Sequence, residues 1–262
     1  MALFNITNVL LLIWFVPQIA SIVERMIKKP NQVESEYDEY KLEYFSTGVQ
    51  PVPEIAIIEA KKEVVKMSEI INEMFELFIK TFKTKQDIPE SISKARKIET
   101  LSDQMQEQIS TYLAECTKHE LSFDSSKSAA AMMRLTNELE SVGDSIFNLF
   151  IQMEQFDDNV KFTDQMNEEI IDFHGFVSKF SEWNHSFVQD NIKSMTDSDL
   201  DKSIKYENKI DNIRNQLLDS SQKRLSTGSN PKSELVFMDM IKHLEHIGDY
   251  SLNISQALEQ LD

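Results

Sequence analysis

A single cysteine, Cys116, is all that 262 residues contain. No intramolecular disulfide framework can form, and such usage suits a reducing compartment. Helix breakers are scarce too, with 5 glycines and 6 prolines. That scarcity leaves room for long uninterrupted helices and argues against an all-β fold rich in tight turns. Basic residues are outnumbered: 27 Lys and Arg face 44 Asp and Glu, for a net charge of −17. Residues 1–30 hold one acid, Glu24, against Arg25, Lys28 and Lys29, so the remainder carries −19. Such a body repels nucleic-acid phosphates, which excludes nonspecific nucleic-acid binding as a main role, and it suits cations. Also missing are a phosphate-cradling glycine loop, a Gly-x-Ser-x-Gly elbow and a cysteine pair, so nothing argues for covalent catalysis. What is present is enough apolar residue, 41%, for a real core.

No charged residue occurs from Ala2 to Val23. As a helix this run would measure about 33 Å, enough to cross a bilayer core. The bases that follow it favour the cytosolic side, and Pro17 is tolerable in such a helix. A secretory signal would carry a basic amino-terminal region and a small-x-small cleavage site, and neither is there. A buried soluble helix would show some polar face. Residues 1–29 therefore read as a transmembrane helix with a basic flank, placing the rest at the cytosolic face of the cell (inner) membrane. Asn5 and Asn8 would prefer a neighbouring helix to lipid, so the chain reads as the carboxyl-terminal part of a larger membrane protein. Residues 30–53, with Pro30, Gly48, Pro51, Pro53 and acids from Glu34 to Glu43, read as a linker.

Six helical stretches follow. The first spans about Glu54 to Phe82, with Ile57, Val64, Ile71 and Phe78 repeating every seven residues beside Phe75 and Phe82. The second opens at Pro89, with Ile98, Leu101, Met105, Ile109 and Tyr112 as its stripe. The third covers about Ser125 to Phe156, and the fourth about Thr163 to Met195. The fifth opens at Thr196, which forms an approximate capping box with Asp199, and ends near Gly228. The sixth begins at Asn230-Pro231 and ends near Leu261. Short connections make sequential neighbours antiparallel.

The strongest signal is a duplication. Met133, Leu139, Glu140, Gly143, Asp144 and Asn148 recur 105 residues later as Met238, Leu244, Glu245, Gly248, Asp249 and Asn253. Glu99 and Asp103 recur 108 residues later as Glu207 and Asp211. Each half is thus three helices, with an acid pair on its second and another on its third. Residues four apart share a helix face, so Glu140, Asp144 and Asn148 line up, as do Glu245, Asp249 and Asn253. Like charges at that spacing cost a few tenths of a kcal/mol, and an interior glycine costs roughly 1 kcal/mol against alanine. Both penalties occur twice, at equivalent places. A cation would compensate the acids, and close approach of something bulky would account for the glycines. Hard divalent cations take carboxylate oxygens, with Asn148 and Asn253 as supporting neutral donors; Fe, Mn, Mg and Zn all fit such ligands. One such acid pair alone is ordinarily a solvated face; the duplication favours metal ligation or a shared ionic network. The second-helix acids should face the third-helix acids across each bundle.

Other polar residues read as structural. Glu182 and His185 have the spacing of a di-iron bundle, but that chemistry needs two such pairs. His243 and His246 flank Glu245 on other faces and have no counterpart in the first half. His119 and His174 read as structural, and Cys116 lies in the second helix's apolar stripe, where burial is expected.

Leu-Glu-His-Ile-Gly-Asp-Tyr-Ser-Leu-Asn-Ile at 244–254 resembles the signature helix of PhoU proteins, and Leu-Glu-Ser-Val-Gly-Asp-Ser-Ile-Phe-Asn-Leu at 139–149 resembles its partner in the other half. The resemblance covers about residues 54–262. It implies an all-α tandem of two antiparallel three-helix bundles, 54–157 and 163–262, whose acidic motifs bind metal clusters, so a multinuclear site is included. Leu3-Phe4-Asn5 through Val16-Pro17-Gln18, then Val23-Glu24-Arg25, is similar to the last membrane helix of sodium-dependent phosphate cotransporters, some of which end in a PhoU-like cytosolic domain. Pro53-Glu54-Ile55-Ala56-Ile57 and the following Ala60-Lys61-Lys62-Glu63 resemble that domain's entry. The paired Gln-Ser-Ser transport motifs are absent, so sodium and phosphate belong to the parent transporter only. The implied function is a regulatory, metal-binding domain acting on a transporter membrane domain, with lipid contact through residues 2–23 and a homodimer open to it. The alternative is a free-standing phosphate-signalling regulator. A carboxylate-bridged metal enzyme is the third reading, and the missing histidine pairs argue against it.

Overall fold

The chain is described by a computed structural model, in which residues 53–118, 121–157, 159–189 and 191–261 are placed. The seven-residue apolar repeat of the first stretch folds as α1, Pro53–Thr84. Ile57, Val64, Ile71 and Phe78 are all buried, as are Phe75 and Phe82. Beyond Thr84 the backbone turns left-handed at Lys85 and Asp87, with φ of 54° and 53°, and α2 follows as Ile88–Cys116 with a proline in its first turn. Thr81 Oγ1 donates to Ser91 Oγ at 3.0 Å and ties the two helices at this end. Cys116 is buried, as its place in the apolar stripe implied, and burial raises its thiol pKa.

Four helices complete the fold. α3 is Phe123–Glu154, capped by Ser122, whose hydroxyl accepts from the Ser125 amide. α4 is Asp164–Gln189. α5 is Asp197–Ser226, opened by a full Thr196–Asp199 capping box and followed by Gly228 at φ 96°. α6 is Pro231–Glu259, capped by Asn230. The fourth helix stops several residues before Met195, where apolar periodicity extended it. Asn191 and Ile192 both adopt positive φ, and the turn they make sinks Ile192 and Met195 into the core. Core burial of two side chains overrides continued helical pattern there.

Helix contacts have a simple symmetry. α1, α2 and α3 pack on one another, as do α4, α5 and α6, and across these groups α1 meets α4 and α3 meets α6. Arg134 bonds Gln256 and Asn253 bonds Glu138, so α3 and α6 run antiparallel. Asn184 on α4 donates to the Ser251 carbonyl of α6 and accepts from Ser255, while His185 meets Ser68 of α1 at 2.8 Å. His174 lies buried against Phe75, with ring centroids 4.3 Å apart. An aromatic group of Phe82, Phe156, Phe162 and Phe237 closes one end of the core. Among the described residues, no helix is long and apolar enough to cross a membrane; the span expected at residues 2–23 lies outside them, as do the linker and His119.

Candidate metal centres

Packing of α2 against α3, and of α5 against α6, is set by the two interior glycines. A Cβ on Gly248 would stand 2.8 Å from Ile210 Cδ1 and 3.0 Å from its Cγ2. A Cβ on Gly143 would meet Ser102 Oγ at 3.4 Å and Ile71 at 3.7 Å. Ser102 and Ile210 are equivalent in the duplication, so in both halves the second helix crosses the third at the same register. The bulky approach expected of the glycines is thus a neighbouring helix rather than a ligand.

That crossing brings the acids together. One carboxylate oxygen from each of Glu99, Asp103 and Asp144 lies within 4.8 Å of the others, and the same holds for Glu207, Asp211 and Asp249. Three hard oxygen donors converging from two helices fit a divalent cation. The second centre is half-buried throughout, whereas Asp103 in the first is exposed. Glu140 and Glu245 stand beside these triads rather than in them. Glu140 hydrogen-bonds with Asp144 and accepts from Ser141, and Glu245 pairs with Arg214. Asn148 turns its amide to the Asp144 carbonyl of its own helix, and Asn253 turns its amide to Glu138.

Crowding and burial push the acids toward their neutral forms. Glu99 is raised by burial and by Asp103, and Asp103 by burial and by Asp144. Glu140 is raised by burial and then by Asp144, and Asp144 itself by burial. In the second half, Glu207 is raised by burial, Asp211 and Asp249, and Asp249 by burial and Asp211. Glu245 is pushed up to about 7 by burial and Asp249, even though Arg214 pulls it down. The Tyr250 phenol is raised by burial and feels carboxylates of both centres, among them Asp249, Glu140 and Asp144. Clustered anions without a cation repel one another in this way.

Arg214 escaped the reading of the acids. It bonds Glu245 and reaches Asp211 Oδ1 at 3.2 Å, so a guanidinium joins the second centre. The one signal available was the duplication itself, which aligns Arg214 with the neutral Gln106. His246 also comes closer than its helical position implied, with Nε2 3.7 Å from Glu245 Oε2. Glu182 and His185 hold no common site: Glu182 accepts from Ser178, and His185 bonds Ser68.

The PhoU domain matches residues 64–150 and 181–258, well over half of the chain. The chain belongs to the PhoU family. Proteins of this family are regulators rather than enzymes, and no residue is assigned a catalytic role. Among solved structures, the chain is similar to the phosphate transport system regulatory protein PhoU of Streptococcus pneumoniae, at 15% identity and a TM-score of 0.68 over 80% of this chain and 96% of that one. It is also similar to PhoU of Pseudomonas aeruginosa, at 14% identity and a TM-score of 0.67 over 79% of this chain and 97% of that one. At such identity the likeness is one of fold: six helices in the PhoU arrangement. No curated protein matches the chain.

Proposed function

We propose that this PhoU-family chain is a phosphate-signalling regulator whose two acidic centres take divalent cations, Fe, Mn, Mg or Zn. The observation that carries the reading is the convergence of Glu99, Asp103 and Asp144, and of Glu207, Asp211 and Asp249, at equivalent helix crossings, in a chain matched by the PhoU domain in both halves. Its partners would be a phosphate transporter and the signalling proteins that control it. Bound metal would relieve repulsion among the carboxylates and stiffen the α2–α3 and α5–α6 crossings, with Glu140 and Glu245 as adjoining acids and Asn148 and Asn253 nearby. The test is replacement of the gene in its own cells by the Asp144→Asn, Asp249→Asn double variant, with a phosphate-starvation reporter and phosphate uptake as readouts. Altered reporter output at unchanged protein level is expected. Wild-type output from both the double variant and the gene deletion would overturn the reading.

A second reading rests on the uncharged run Ala2–Val23 and the bases behind it. In it the regulator is tethered at the cytosolic face of the cell membrane as part of a sodium-dependent phosphate transporter. An active reporter fused after Asp262 inside the cell, together with membrane-fraction recovery, supports this form; recovery in the soluble fraction removes it.

A further inference from the structure

The two centres are alike in acids and unlike in bases. In the second, Arg214 projects from α5 three residues after Asp211, bonds Glu245 and sits 3.2 Å from Asp211. Its equivalent in the first is Gln106, which donates to Asn137 at 2.6 Å and carries no charge. The equivalent of Asn137 is in turn Lys242, one of the cations that His246 feels. Arg96, which acts on the first centre, is a minor influence on Glu99 and lies over the Phe147 ring at 5.0 Å. The equivalent of Arg96 is Ile204. The second centre therefore contains a guanidinium bonded to its acids, and among the described residues no arginine is seen bonded to the acids of the first.

We propose that Arg214 is a built-in occupant of the second centre, which makes the two centres unequal: the first takes a divalent cation tightly, the second only weakly and against the guanidinium. This rests on the metal reading proposed above. An arginine cannot shed its charge to admit an ion. A cation arriving at Glu207, Asp211 and Asp249 must either displace Arg214 from Asp211 and Glu245 or bind beside a positive charge. Either route costs affinity, on the order of ten- to a hundredfold for charges a few ångströms apart in a half-buried site. The Arg214 Nε is buried and has no hydrogen-bond partner, so the guanidinium is incompletely satisfied where it stands. The consequence is a graded response: at low metal the first centre alone fills, and the second fills only as metal rises and Arg214 is released from Glu245.

Titration of the metal-stripped full chain in detergent with Mn2+, read by the loss of free-ion electron paramagnetic resonance signal, tests this. Two classes of site should appear in the wild type, separated by about tenfold or more. Asp144→Asn should remove the tight class and Asp249→Asn the weak one. Arg214→Gln should tighten the weak class toward the tight one, and Gln106→Arg should weaken the tight class. The second substitution decides the matter if the first fails to fold. Two sites of equal affinity in the wild type, or classes unmoved by both exchanges, would overturn the inference while leaving the metal centres standing. No Mn2+ bound by wild type or Arg214→Gln would remove the metal reading and this inference together.

Discussion

At the scale of single residues, two buried titratable groups give the protein opposed pH dependences. His174 is 4% exposed, and its Nε2 has no hydrogen-bond partner. Burial holds its pKa down to about 4 from an ordinary 6.5. Between those values the unfolded chain binds a proton that the folded one does not. The contribution is thus fully present above about pH 6.5 and is lost as pH falls toward 4, by about 2 kcal/mol at pH 5. Glu245 has the reverse sign, because its pKa rises to about 7 from 4.5. Its contribution is present at acid pH and lost as pH rises to about 7. In urea midpoints of the metal-free chain across pH 5 to 7.5 the two contributions therefore oppose each other. His174→Phe should lessen the acid-side loss and Glu245→Gln the neutral-side loss. A wild-type profile in His174→Phe would disprove the first assignment. Sequence spacing showed neither effect, since both depend on what the other helices bring to the side chain.

Between elements, the two interior glycines are not equivalent. Gly248→Ala drives a methyl against Ile210, a branched side chain that is itself buried, and should destabilise by about 1–3 kcal/mol through overpacking. Gly143→Ala meets only ordinary contacts and removes a helix-interior glycine, so it should be neutral or stabilising by up to about 1 kcal/mol. Denaturant titration of both variants checks the ordering, and equal losses would refute it. The sequence marked both glycines as deliberate, but whether serine or isoleucine lay opposite depended on the helix crossing. A second inter-helix device was not legible at all. Glu234, fully buried on α6, is gripped by Arg224 of α5 and by Ser221 and Ser229, while Arg224 also reaches Glu169 of α4 at 2.8 Å. Arg224→Ala strands a buried carboxylate and should cost roughly 3–5 kcal/mol. The exposed Lys118–Glu115 pair should contribute less than about 1 kcal/mol. Thermal or urea unfolding distinguishes them.

For the molecule as a whole, the metal centres proposed above, one on either side of the α3–α6 contact, would make stability responsive to cations. A ligand that binds only the folded state stabilises it by mass action, about 2.7 kcal/mol at a hundred times its Kd. Added Mn2+ should raise the melting temperature of the full chain, and the Asp144→Asn, Asp249→Asn variant should respond much less. An equal rise in both proteins would return these acids to the role of a solvated face.

The helices, their caps and the duplication came from local chemistry that the chain carries with it. Apolar spacing sets which face is buried. The Thr196–Asp199 box and the Asn230-Pro231 start are short-range events, and identical residues at a constant offset need no coordinates to be seen. Residues four apart share a face wherever the helix goes, so the acids of each third helix had to line up. What joined Glu99 and Asp103 to Asp144, rather than leaving them on a separate solvated surface, was the α2–α3 crossing. What separated the two halves was the reach of Arg214 across to Glu245, a contact over 31 residues of sequence. Long-range placement of that kind depends on how helices pack, and no spacing rule contains it. The end of α4 belongs with it: the local pattern ran on, and only the core's demand for Ile192 and Met195 broke the helix at Gln189.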